Sequence, residues 1–112
     1  MTKPAQPTAV VYLCTAKDEP VVTRQAMCER IARESGLHLA GVIHDDEGAT
    51  EPDQRRGLTY ALQMLLDGDA DTIIVPTGEM LSVLPDEKAR VSRSVRKAGG
   101  RIIVASEVSA RS

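Results

Sequence analysis

The sequence is poor in aromatic residues. They make up 2% of its 112 positions, and Phe and Trp are absent. A core must therefore be assembled from Val, Ile, Leu, Met and Ala, and there is little material for a platform that stacks on unpaired bases. Cysteine is scarce as well. Cys14 and Cys28, with no apolar leader ahead of them, read as thiols of a reducing compartment rather than a disulfide framework. No apolar run approaches the ~18 residues needed to cross a bilayer. The expectation is a cytoplasmic protein with no membrane contact.

No strong excess of charge is present either. The net charge is −2, so the chain as a whole is no electrostatic glove for nucleic acid. The charge is unevenly placed, however. Asp45, Asp46, Glu47, Glu51 and Asp53 form an acidic stretch, and Arg90, Arg93, Arg96, Lys97 and Arg101 a basic one. Several motifs are missing. No GxGxxG follows the first apolar run and no GxxxxGK[ST] occurs, which removes the dinucleotide fingerprint and the Walker loop. The Asp67–Asp71 stretch lacks the later Gly and Glu of a calcium loop. A response regulator needs acidic residues after the first strand and an Asp after the third. Those places hold Cys14-Thr15 and Pro76-Thr77.

What is present is an alternation of short apolar runs with amphipathic ones. Residues 1–8, rich in Pro, Thr and Gln, read as a loose tail, and residues 9–112 as one domain. Ala9–Cys14, Leu37–Ile43, Thr72–Val75 and Arg101–Ala105 read as strands buried on both faces. Thr23–Ser35 reads as a helix with Thr23 as N-cap and Gly36 as its stop. Leu58, Ala61, Leu62, Leu65 and Leu66 form a helical stripe ended by Gly68. Pro85 opens a further helix running to Ala98, with Val91, Val95 and Ala98 on one face. Asp45–Gln54 reads as an exposed acidic loop. The order β-α-β-α-β-α-β implies a three-layer α/β domain: a mainly parallel four-stranded sheet with helices on both faces.

Ligands of open parallel sheets bind at the carboxyl ends of the strands. The segments that qualify are Thr15–Pro20, His44–Gln54, Pro76–Leu84 and the residues after Ala105. His38 and His44 flank the second strand and read as solvated or structural, so no metal site is expected. Cys14 reads as a small buried hydrophobe before a reactive thiol. Arg90, Arg93, Arg96 and Lys97 share one helix face. That stripe fits a phosphate-contacting surface, and equally the solvated outer face of a helix packed on a sheet.

The pattern resembles the catalytic domain of the serine recombinases, the resolvase and invertase family, over Val10–Ala105. The residues that carry the likeness are Val11-Tyr12-Leu13-Cys14-Thr15-Ala16, Arg24-Gln25, Gly41-Val42-Ile43-His44-Asp45, Arg55-Arg56-Gly57-Leu58, Ala70–Val75, Glu79-Met80-Leu81-Ser82-Val83 and Gly99-Gly100. Each motif is weak alone, and their order and spacing make the match. The resemblance implies a resolvase-like fold. It also implies a site in which a serine attacks a DNA phosphate while arginines stabilise the charge that builds there.

The departures fall on that chemistry. Ala16 stands at the serine's place, Cys14 at an arginine's, Glu79-Met80 at an Asp-Arg pair and Val83 at a later arginine, while Asp45, Arg55 and Ser82 match. Thr15, one residue off, points to the other face of its strand and does not replace the serine. The expectation is a protein that is not an enzyme: a catalytically inactive domain, without cofactor, kept as a protein-interaction or regulatory module. Its partner is an unknown protein, a homo-oligomer is open, and nucleic-acid contact is weak or absent. Two alternatives stand beside it. One is a repurposed cleft of Asp45, Arg55, Thr77 and Ser82 that binds a small phosphorylated or nucleotide ligand. The other is weak nucleic-acid binding through Arg90, Arg93, Arg96 and Lys97.

Overall fold

The computed structural model describes residues 7–15, 22–46, 55–78 and 85–110, leaving aside the side chains of residues 15, 46, 109 and 110. Its elements follow in the order β1 (Thr8–Thr15), α1 (Val22–Glu34), β2 (His38–Asp46), α2 (Arg56–Asp67), β3 (Thr72–Val75), α3 (Pro85–Lys97), β4 (Arg101–Val104) and α4 (Ala105–Ala110). The four strands form one sheet in the order β2-β1-β3-β4, and every pairing is parallel. The expected α/β architecture is therefore present, with helices on both faces of the sheet.

Alternation along β1 shows how one strand serves two cores. Val10 and Tyr12 are buried against α2 and α3, with Leu58, Ala61, Leu65, Val91 and Val95. Ala9, Val11 and Leu13 are buried on the other face against α1 and α4, with Cys28, Ile31, Ala32 and Ala105. β3 lies in the middle of the sheet and all four of its residues are buried, as a strand covered on both faces must be. The helices end where glycine can take a left-handed turn. Gly36, Gly68 and Gly99 have φ of 74°, 81° and 85°.

Four details differ from the sequence reading. β1 begins at Thr8, inside the segment read as tail, and residues 1–6 lie outside the described residues. α1 begins at Val22, so Thr23 is inside the helix and not its N-cap. Leu66 is 65% exposed rather than part of the buried stripe. A short helix, α4, follows β4 where only a tail was expected, and Ser106 N–H donates to the Pro76 carbonyl at 3.0 Å to hold its start against the end of β3.

The fifth difference decides the site. β2 runs on to Asp46, so Asp45 and Asp46 belong to a strand and not to an exposed loop. The strand is also irregular. Ala9 pairs with Leu39, but Val10 pairs with Gly41, so Ala40 is an extra residue, a β-bulge. Leu39 packs with the α1 face. After the bulge Ile43 packs with the α2 face, and Asp45 stands beside Cys14 in register. Unbroken alternation would have put Leu39, Ile43 and Asp45 on one side.

Candidate functional site at the carboxyl end of β1 and β2

Helix α2 opens without the usual help. The residue before its first turn is Arg55, in extended conformation (φ −91°, ψ 103°), and its side chain makes no capping hydrogen bond. The first amides of a helix have no partner inside it and need an acceptor. Here the acceptor arrives from the neighbouring strand. Gly57 N–H donates to Asp45 Oδ1 at 2.8 Å, and Leu58 N–H to Asp45 Oδ2 at 3.0 Å. These are the second and third residues of the helix, the amides that a capping Ser or Asp would normally take. A negative charge at this end also complements the helix dipole.

The same carboxylate accepts a third bond, from the Tyr12 hydroxyl, at 2.8 Å. Tyr12 is fully buried, and a buried hydroxyl needs such a partner. Asp45 thus ties β1, β2 and α2 together in one clamp. The clamp is tight. A Cβ at Gly57 would stand 2.7 Å from Ile43 Cγ2 and 2.8 Å from Asp45 Oδ1, so only glycine fits.

Arg55 is brought to this corner. It is 6% exposed, and its charge lies close enough to Tyr12 to act on that hydroxyl. Cys14, half-buried at the end of β1, also acts on Tyr12. Burial is the main cause that pushes the Tyr12 pKa well above a tyrosine's ordinary value; the bond to Asp45 adds to it, and Arg55 works against it. On the other face, burial pushes the Cys28 thiol up to about 12, with Glu29 beside it a smaller cause.

Both groups are acids whose neutral form the fold favours. Their contribution to stability is complete below the unfolded-chain values, near pH ~8.5–10, and is lost as pH rises toward the folded values. The melting temperature is therefore expected to hold from pH 7 to about 8.5 and to fall steadily above about 9. A melting temperature unchanged up to pH ~11 would contradict this assignment.

The residues singled out from the sequence divide into three groups. Asp45, Arg55 and Cys14 come together at the corner. Thr77 is half-buried two residues past β3. It lies on the same edge of the sheet but on the far side of β1 from Asp45, two strand spacings or about 10 Å away. Ala16, Glu79, Met80, Ser82 and Val83 lie outside the described residues.

The basic residues form a separate surface. Arg93, Arg96 and Lys97 are exposed on α3, and Arg90 lies 4.0 Å from Glu87. Because α3 runs from the carboxyl edge of the sheet back to the amino edge, Arg96 and Lys97 sit at the end remote from Asp45. His38 and His44 are six residues apart on one strand, roughly 20 Å, too far to share an ion. Tyr12 was not singled out as a site residue. The signal was a tyrosine two positions before Cys14 in a buried strand, where a hydroxyl must find a partner.

No family model matches the sequence, and no curated protein matches it. Solved structures do. The chain is similar to the N-terminal catalytic domain of TP901-1 integrase (TM-score 0.78, 14% identity, covering 89% of this chain and 78% of that one). It is similar to the C-terminal catalytic domain of ISC1926 TnpA, an IS607-like serine recombinase (TM-score 0.76, 17% identity, 88% and 70% covered). A serine recombinase from Sulfolobus solfataricus matches at a TM-score of 0.64, with 15% identity and 89% and 69% covered. The fold is thus that of serine recombinase catalytic domains. This corrects the expectation that the chain is not an enzyme. The structures that share its fold are catalytic domains, and Ala16, Cys14, Met80 and Val83 do not by themselves establish inactivity. No helix among the described residues is long and apolar enough to cross a membrane.

Proposed function

We propose that the chain works in DNA recombination as a phosphate-engaging domain, with Arg55 as the cation that meets a DNA phosphate at the carboxyl end of β1. The observation that carries this reading is the clamp, in which Asp45 fixes the first turn of α2 and so fixes the residue just before it. A guanidinium presents a planar fork of donors that fits two phosphate oxygens. Held in place before any ligand arrives, it stabilises charge on phosphate with little loss of conformational freedom. Thr77, across β1, adds a hydroxyl donor to the same edge; Ser82, which lies outside the described residues, is proposed as a second. Cys14 and Cys28 are not joined in a disulfide, which suits a cytoplasmic location.

Titration with a duplex oligonucleotide, followed by amide NMR, tests this. The Gly57 and Leu58 signals are expected to shift, and Arg55→Gln is expected to weaken binding about tenfold or more, the loss of one charged hydrogen bond. Signals that move only on α3 would transfer the role to Arg90, Arg93, Arg96 and Lys97, with the steep salt dependence of a phosphate stripe. A mononucleotide that acts more strongly than the duplex would make the ligand a small phosphorylated molecule. No shift at Gly57 with either would end the reading.

A protein-interaction or regulatory role is a second reading, favoured by Tyr60 and Leu66 on α2, which are 61% and 65% exposed. It requires that Tyr60→Ser with Leu66→Ser abolish capture of a recombination partner. Unchanged capture would remove it.

A further inference from the structure

The sheet has two edges, and they are built differently. β2 carries the Ala40 bulge and turns His38 and His44 outward. Bulges and polar side chains are the usual protection of an edge against strand addition. β4 has neither. It is the four residues Arg101–Val104, with no proline, and it pairs with β3 in unbroken register. Ile102, Ile103 and Val104 are only half-buried, whereas their neighbours on β3 are fully covered. Along this strand runs a groove of about 410 Å³ between α3 and β4. Its floor is Ile102 and Val104, its wall Ala89 and Ser92, and Glu107 stands at its end. Pro85 and Lys88 line the same α3 side.

We propose that β4 is a dimerisation edge that takes the β4 of a second copy of this chain, antiparallel, so that two four-stranded sheets become one. Charge identifies the occupant. In a two-fold pairing centred between Ile102 and Ile103, Arg101 of each copy stands opposite Val104 of the other. It then lies beside the first turn of the other copy's α4, which begins at Ala105 and carries Glu107. Arg101 and Glu107 are both exposed. One cation and one carboxylate at opposite ends of the same short strand meet their opposites twice across a two-fold axis, the self-complementarity that an isologous contact requires. Apolar side chains of the strand and the exposed Val108 just beyond it supply the surface removed from water.

Sedimentation velocity on the full chain tests the proposal. At about 100 μM the protein is expected to be largely dimeric. Arg101→Glu and Glu107→Lys are each expected to weaken the dimer about tenfold or more, and the two together to restore it. Glu107 is exposed, and Arg101→Glu gives up within its own chain the 3.2 Å bond that Arg101 Nε donates to Thr72 Oγ1, so circular dichroism should show each variant folded. A wild-type chain that stays monomeric at this concentration overturns the proposal. So does a dimer whose strength ignores both charge reversals, because its interface then lies elsewhere.

Discussion

Asp45→Ala is expected to destabilise the protein by about 2–4 kcal/mol, one of the largest effects of any single polar substitution in this chain. Three donors lose their acceptor at once: the Tyr12 hydroxyl and the amides of Gly57 and Leu58. Removal of a helix cap alone costs ~1 kcal/mol, and a buried hydroxyl left without a partner adds ~1–3 kcal/mol. In a chain of this size the melting temperature should drop by roughly 8–20 °C. Asp45→Asn keeps one acceptor oxygen and should fall between the two, and Tyr12→Phe should lose only the smaller share. Thermal or urea unfolding of the three variants checks the order. An Asp45→Ala variant within ~0.5 kcal/mol of the parent would show that water replaces the carboxylate at no cost, and that the clamp is not what fixes α2.

Gly57→Ala should also be damaging, for a different reason. The added methyl meets Ile43 Cγ2 at 2.7 Å and the Asp45 carboxylate at 2.8–2.9 Å. Neither can give way freely, since Ile43 is packed in the core and Asp45 holds three bonds. Overpacking of this kind costs ~1–3 kcal/mol, and helix preference for alanine over glycine returns at most ~1 kcal/mol. The net expectation is a loss of about 1–2 kcal/mol, with the strain on the Asp45 bonds included. The two substitutions should not add. With Asp45 already alanine, two of the three clashing atoms are gone, so Gly57→Ala should cost much less in that background. Strict additivity in the double-mutant cycle would mean that the methyl is accommodated by moving the whole helix instead.

Most of the scaffold could be read from the residues themselves. Thr72–Val75 is an apolar β-branched run, and its position in the middle of the sheet buries all four residues, so pattern and structure agree. Pro85, Val91 and Val95 predict α3 because helix periodicity and the proline at its start act together. The site was harder to read. Two adjacent aspartates, Asp45-Asp46, followed by further acids, look like solvent-exposed loop, because composition does not reveal that an unpaired helix end waits twelve residues later. The Ala40 bulge is hidden for a related reason. Leu39, Ile43 and Asp45 keep an unbroken alternation in sequence, and only pairing with β1 shows that the faces change between them. In α4, Ala105–Ala110, six residues are too few to show a period. The match to recombinase motifs singled out Asp45 and Arg55 as survivors of a reaction. The structure shows Asp45 as a structural bond-holder, so folding alone accounts for its presence.

The clamp has one more consequence, for how the chain tolerates change. Asp45 and Arg55 bracket residues 47–54, and both are anchored independently of whatever joins them: one by its place in a strand, the other by the helix it precedes. Both ends of that span therefore hold their places by their own contacts. A connection between fixed ends costs roughly 0.6 kcal/mol for each doubling of its length, so residues inserted between positions 46 and 55 are expected to leave the sheet and its stability nearly unchanged.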